Sequence, residues 1–236
     1  MTDMKLHVIG SSSKGNSYAL EGGDEILLLE AGMPFSEVKK AIDWQVSKIT
    51  GCLISHIHND HAGYIGQYEK QGFPVTIERK MGNIILHASR AYTKTEFDVK
   101  LFPLPHCSTP NYGFFISHPE LGKLLFMTDF EYCKYDFSDL KINHILIEAN
   151  YSREILDRNN PNSDHVILGH AEIETTAEFV RKNRTSELMN VILLHLSDGN
   201  SDENLFKERI KEAAGAGVFV DVADAGKIFE LSLEPF

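Results

Sequence analysis

The sequence predicts an α/β protein in which two β-sheets pack together with helices on the outside. Three observations carry this. The first part of the chain is strand-rich, with apolar or alternating runs separated by turn residues. The second half alternates strand-like runs with helical spacing. No Pro/Ser/Gly-rich linker, low-complexity stretch or internal repeat divides the 236 residues, so one domain over residues 1–236 is expected. At 42% hydrophobic residues the chain can bury a sizeable core.

Strands are expected at Lys5–Ile9, Ser17–Leu20 and Glu25–Leu29. The first two flank the polar loop Gly10-Ser11-Ser12-Ser13-Lys14-Gly15-Asn16, and Gly22-Gly23-Asp24 makes a tight connection to the third. Helical spacing runs from Phe35 to Trp44, with both aromatic residues expected in the core. A buried strand follows at Gly51–Ser55, a helix is suggested over Ala62–Tyr68, a short strand over Pro74–Glu78 and a helix over Met81–Ser89. Val99–Leu104, Gly113–Ser117 and Lys123–Met127 read as three more strands. Then come strand Ile142–Glu148, helices Ser152–Arg158 and Ala171–Lys182, strand Asn190–Leu194, helix Asp202–Ala214 and closing strands Val218–Val222 and Lys227–Leu233.

The formal charge of −11 weighs against a large nucleic-acid footprint, because the basic clusters at Lys39-Lys40, Arg79-Lys80 and Arg181-Lys182-Asn183-Arg184 are short. Apolar runs such as Ile26-Leu27-Leu28-Leu29 are strand-sized, so no membrane span is expected. The start, Met1-Thr2-Asp3-Met4-Lys5, lacks the basic-then-apolar pattern of a secretory signal. Cys52, Cys107 and Cys133 are odd in number and widely spaced, which points to a reducing compartment, the cytoplasm.

The chemistry concentrates in Ser55-His56-Ile57-His58-Asn59-Asp60-His61. Imidazole and carboxylate form the ligand set of first-row metals when no thiolate is supplied. His56 and His58 are two apart, so in extended chain they project the same way, and Asp60 and His61 follow as the chain turns into a helix. One segment can therefore feed two neighbouring metal sites. His106, Asp129 and His195 each sit just past an apolar strand-like run, where a rigid sheet would hold a ligand. Taken singly, each reads better as a hydrogen-bonded histidine or an N-cap aspartate; together with residues 56–61 they complete a sensible ligand count.

This ordered series resembles that of the metallo-β-lactamase-fold hydrolases, which implies a four-layer αββα sandwich of two mixed β-sheets with outer helices. By that resemblance His56, His58 and His106 hold one divalent metal, Asp60, His61 and His195 hold a second, and Asp129 bridges both. Within the superfamily the chain looks closest to the YycJ-like (WalJ, VicX) group, small relatives of RNase Z regarded as nuclease-like. The residues that carry this are Gly10-Ser11-Ser12-Ser13-Lys14-Gly15-Asn16-Ser17, Leu29-Glu30-Ala31-Gly32, Ile147-Glu148-Ala149-Asn150, Gly169-His170 and His195-Leu196-Ser197. Three departures bear on the substrate. Glu30 stands where the family usually has Asp, Cys107 follows His106 where Asp is frequent, and Ala171-Glu172 follows Gly169-His170 in place of Leu-Ser. No β-CASP insertion fits between Asp129 and His195, and no long RNase Z-type arm is seen, which favours a small or short substrate.

The expected activity is a dinuclear-metal phosphodiesterase, a nuclease or cyclic-nucleotide type, using a hydroxide bridging two metals. Zinc is the default metal, with manganese, iron or cobalt open. Asp60 is expected to help orient the water, and His170, at a strand-to-helix junction, to protonate the leaving oxygen or stabilise the phosphate, the alternative being a structural or capping histidine. Glu30 and Glu148 are candidates to receive N–H bonds from ligand imidazoles. The loop Ser11 to Asn16 is a candidate phosphate contact or simply a polar hairpin, while Cys107, His87 and His165 read as structural. Alternatives are an ester, thioester or lactone hydrolase of the same fold, since those transition states also gather charge on oxygen, or a non-catalytic metal-binding sensor. Expected partners are a phosphodiester substrate (a short or cyclic nucleotide, or nucleic acid), no membrane, and a second copy of the chain as a homodimer.

Overall fold

The computed structural model describes residues 4–77, 95–161, 163–231 and 233. In chain order the elements begin with β1 (Lys5–Ser12), β2 (Gly15–Gly22), β3 (Glu25–Leu29), α1 (Phe35–Ala41), β4 (Ile49–Leu53), α2 (Asn59–Ala62), α3 (Ile65–Glu69) and β5 (Val75–Thr76). They continue with β6 (Asp98–Leu104), β7 (Asn111–His118), β8 (Gly122–Met127), β9 (His144–Glu148), α4 (Ser163–Gly169), α5 (Ile173–Asn183), β10 (Asn190–Leu194), α6 (Glu203–Ala214), β11 (Phe219–Val222) and β12 (Ile228–Glu230). Two compact units result: Met1–Asp98 with His118–Leu121 and Asp224–Phe236, and Val99–Ser117 with Gly122–Ala223.

The first unit holds a six-stranded sheet in the order β12-β1-β2-β3-β4-β5. Its hairpins pair antiparallel, whereas β3, β4 and β5 run parallel. Ile26, Leu28, Cys52 and Ile54 from the strands meet Phe35, Val38 and Ile42 in one buried cluster. Phe35, Val38 and Ile42 recur at helical spacing, which is why this short helix forms on its sheet.

The second unit holds a six-stranded sheet in the order β11-β10-β9-β8-β7-β6, with β8, β9, β10 and β11 parallel. β9 and β10 are buried along their whole length, as parallel strands covered on both faces must be. α5 buries Ile173, Thr176, Ala177, Phe179 and Val180, one helical stripe that packs into the same core as Phe206 and Ile210 of α6. Glu172 caps α5 by accepting from Glu174 N, and Asp202 caps α6 by accepting from Leu205 N.

Three sequence expectations fail here for local reasons. Ser152–Arg158 is a turn, not a helix: Ile155 N and Leu156 N both donate to Ser152 O, while the Asp157 carboxylate takes Asn159 N and competes with helix continuation. The helix lies later, at Ser163–Gly169, so His170 joins two helices rather than a strand and a helix. Trp44 is 65% exposed rather than buried, because α1 stops at Ala41 and the chain turns through positive φ at Asp43 and Trp44; Lys39 Nζ covers its ring at 5.2 Å. The expected helix Met81–Ser89 with His87, the Arg79-Lys80 cluster and the last residue of the expected strand Pro74–Glu78 lie outside the described residues.

Candidate metal centre

In the first unit, register builds the site. β3 and β4 run parallel with Leu28 opposite Cys52 and Leu29 opposite Leu53, so Glu30 arrives alongside Ser55. Glu30 N donates to Leu53 O at 2.8 Å, and Ser55 N donates to the two Glu30 carboxylate oxygens at 3.2 and 3.3 Å. Glu30 takes a left-handed φ of 65°, a strained conformation for a residue with a side chain and one that clusters at functional sites. Beyond Ser55 the chain passes His56 and His58 and turns into α2, which carries Asp60 and His61. The His56 ring centroid lies 4.5 Å from that of His58 and 4.3 Å from that of His61. His61 Nε2 is 3.2 Å from Asp60 Oδ2, and its Nδ1 is 3.4 Å from Glu30 Oε2. Ser55 Oγ is 2.9 Å from His56 Nδ1.

Backbone contacts fix this segment. Ala31 N donates to His61 O at 2.7 Å, and Tyr64 N to Ala31 O at 3.0 Å. A Cβ on Gly32 would sit 1.7 Å from Asp60 O, so only glycine lets the two strands of chain approach. Burial pushes the Glu30 carboxyl above its ordinary value, and the His61 charge with hydrogen bonds from His61 and Ser55 offsets this only in part.

In the second unit the parallel strands β8, β9 and β10 end in line: Met127 pairs with Ile147, and Leu194 with Glu148. That register sets Asp129, Glu148 and His195 side by side at the carboxyl ends of adjacent strands, where open α/β sheets bind ligands. Asp129 and His195 both take left-handed φ, 51° and 52°. Glu148 gathers four donors: Phe130 N at 3.2 Å and Ala171 N at 3.0 Å on Oε2, and the Nδ1 atoms of His170 at 2.8 Å and His195 at 2.9 Å on Oε1. Asp129 accepts from Thr128 Oγ1 at 2.7 Å; its carboxylate lies 3.2 Å from His195 Nδ1, 3.7 Å from His170 Nδ1 and 4.0 Å from His106 Nε2.

Electrostatics follow from these contacts. Burial alone would raise Glu148, and the Asp129 charge adds to that; the His170 charge and the bonds from His170 and His195 win, and its carboxyl is held below the ordinary range. His170 moves the other way: burial lowers it, but Glu148 and Asp129 together hold the imidazole above its ordinary value. Cys107 is exposed rather than tucked away, because the chain there is not extended but at φ 46°, and its Sγ is 3.9 Å from His165 Nδ1. Burial first, then the charges of Asp129 and Glu131, push that thiol up, away from nucleophile chemistry.

These residues fit a divalent metal. A metal-binding imidazole needs one nitrogen protonated and held by an acceptor while the other presents its lone pair. His106 Nδ1 lies 2.6 Å from Gly169 O, a carbonyl that can only accept, so Nε2 is its basic nitrogen. His195 Nδ1 is held by Glu148 in the same way. Asp129, Glu148, His170 and His195 bring one ligand-capable atom each within 4.8 Å of one another. Since Glu148 Oε1 already accepts from both imidazoles, it orients the rings rather than supplying the ligand oxygen. A further cluster in the first unit, Glu25, Glu96 and His118, fails the same test. Glu120 N donates to His118 Nδ1 at 3.2 Å, which puts the proton on Nε2, the nitrogen 3.9 Å from Glu96.

The first unit thus brings together His56, His58, Asp60 and His61, and the second His106, Asp129, His170 and His195, with Glu30 and Glu148 as the carboxylates behind the rings. Sequence reasoning missed Asn16. The sequence offers it only as part of a loop that contacts phosphate or forms a polar hairpin, yet it is fully buried with Nδ2 3.1 Å from His61 Nε2. The available signal was an Asn opening the apolar strand that follows Gly15.

Comparison with known proteins finds relatives of this fold. The metallo-beta-lactamase superfamily model matches residues 12–82. The exodeoxyribonuclease YycJ of Bacillus anthracis is 26% identical over 97% of this chain and 95% of its own length. The exodeoxyribonuclease WalJ of Streptococcus pneumoniae is 25% identical over 85% of this chain and 84% of its own. In structure, the metallo-beta-lactamase fold protein YhfI from Bacillus subtilis superposes with a TM-score of 0.71 at 17% identity, covering 97% of this chain and 99% of that one. The resemblance read from the motif series is therefore borne out, and two mixed six-stranded sheets with helices match the α/β sandwich of the metallo-β-lactamase fold. No helix among the described residues is long and apolar enough to cross a membrane.

Proposed function

We propose that this chain is a metal-dependent hydrolase that cleaves phosphodiester bonds, acting as a nuclease on DNA. The observation that carries the reading is the pair of imidazole and carboxylate clusters in which His106 and His195 are already held by their Nδ1 atoms. The relatives YycJ and WalJ, named exodeoxyribonucleases, support the choice of bond and of DNA.

The ligand set is the one the resemblance implies: His56, His58 and His106 for one ion, Asp60, His61 and His195 for the other, and Asp129 for both, in one domain over residues 1–236. Two divalent ions, zinc by donor type, would lower the pKa of a water and neutralise charge on the phosphoryl oxygens. The rest of the chemistry falls to the chain. Asp60 orients the attacking water. Glu148 fixes the His170 ring through Nδ1 and, with Asp129, favours its protonated form, which suits a proton donor whose Nε2 faces the leaving oxygen. Free Cys52, Cys107 and Cys133 are in keeping with a cytoplasmic protein.

A metal-loaded activity panel tests this: bis-p-nitrophenyl phosphate, single-stranded DNA, RNA, cyclic nucleotides, a lactone and a thioester. Cleavage of the DNA and of the phosphodiester reporter is expected. Turnover of the lactone or thioester with no phosphodiester cleavage would replace this reading with a carboxylic ester or thioester hydrolase.

A further inference from the structure

We propose that Asn16 is a positioning residue for Asp60, holding its carboxylate and carbonyl through one buried side-chain amide that also touches His61 Nε2 in the metal-free chain; this rests on the metal-hydrolase reading above. Asn16 is the second residue of β2 and is fully buried. Its Nδ2 lies 3.1 Å from His61 Nε2, 3.4 Å from Asp60 Oδ2, 3.4 Å from Asp60 O and 3.2 Å from Ser12 O. Two of those partners are carbonyl oxygens, which accept only, so the nitrogen must face this side. On the other side Asn16 Oδ1 is 3.3 Å from Tyr18 Oη, whose hydroxyl also reaches Ser11 Oγ at 2.8 Å. Gly32 N donates to Asn16 O at 2.9 Å, and the missing side chain at Gly32 is what lets Asn16 and Asp60 close on the same point.

The amide has two N–H groups and four acceptors in reach. With the His61 Nε2 lone pair engaged by a ligand, the same side chain still finds Asp60 and Ser12 without changing place. It therefore orients the aspartate and the histidine together in the bare chain, and the aspartate alone once a metal takes the His61 lone pair. Groups that orient metal ligands in this way typically change metal affinity about 10- to 100-fold when removed.

Zinc chloride titrated calorimetrically into chelator-stripped protein tests this independently of activity, with thermal unfolding of the stripped protein as the check on folding. Asn16→Ala and the similar-sized Asn16→Leu are each expected to weaken zinc binding about tenfold. Tyr18→Phe, which removes only the hydroxyl behind the amide, is expected to leave zinc affinity unchanged. Wild-type zinc affinity in a folded Asn16 variant would overturn the proposal. So would an equal loss in Tyr18→Phe, or failure of both Asn16 variants to fold, either of which would assign the amide to the hairpin. Wild-type protein that takes up no zinc would instead overturn the metal reading itself.

Discussion

Glu30 and Glu148 are both fully buried carboxylates behind metal-capable histidines, one in each unit, yet their pKa values are displaced in opposite directions. Burial disfavours the charged form of each. The difference lies in what faces the oxygens. Glu30 receives one backbone N–H, from Ser55, and stands 3.4 Å from His61 Nδ1. Glu148 receives two backbone N–H groups and two imidazole N–H groups, at 2.8 to 3.2 Å. Donor count, not depth, decides the direction of each displacement, and the carboxylate held lower is the stronger orienter of a ring. The first unit compensates with neutral groups, Ser55 on His56 and Asn16 on His61.

Substitutions can break or sharpen this contrast. The largest effect is expected from Asp129→Ala, which should remove bound metal and activity together; two metals per chain in that variant, counted by elemental analysis, would show that Asp129 does not bridge. Next comes His170→Ala, which should keep its metals and lose turnover about 100-fold or more. Its pH profile carries the sign: a proton donor held above the ordinary histidine value works while protonated, so activity should fall as pH rises through that raised value, and the variant should lose this alkaline limb. Full activity in His170→Ala would return the residue to a structural role. Glu148→Gln removes the charge that two imidazoles share, and should weaken metal binding about 10- to 100-fold by calorimetry. Glu30→Gln should fall at the low end, about tenfold, because fewer donors depend on its charge; an effect larger than that of Glu148→Gln would reverse the comparison. Gly32→Ala should destabilise the fold by about 3 kcal/mol, since a Cβ 1.7 Å from a backbone oxygen leaves no rotamer to relieve it; an unchanged thermal midpoint would contradict the close packing of residues 32 and 60.

The candidate ligands were legible in the sequence because they sit at places sequence marks well. His56 to His61 form one segment, and Asp129 and His195 follow apolar runs that the parallel register turns into aligned strand ends. Glu148 was legible for the same reason, as the last residue of such a run. What faces a buried group was not legible. Asn16 lies 45 positions from His61, and nothing in a Gly-Asn-Ser hairpin reveals that separation closing to 3.1 Å. Local competition also hid elements: Asp157 and Asn159 turned an apparent helix at 152–158 into a turn, and moved the helix before His170 to Ser163–Gly169. Trp44 failed because hydrophobicity predicts burial only while the helix that carries it lasts, and α1 ends three residues earlier.

The central claim, that these histidines and carboxylates make a metal-dependent phosphodiesterase, is tested most directly on end-labelled single-stranded DNA. Protein stripped with a chelator, then reloaded with zinc or manganese, should go from no cleavage to cleavage as metal is restored, while Asp129→Ala stays inactive at every metal concentration. Cleavage by the stripped wild-type protein, or by Asp129→Ala to the same extent as the wild type, would contradict it.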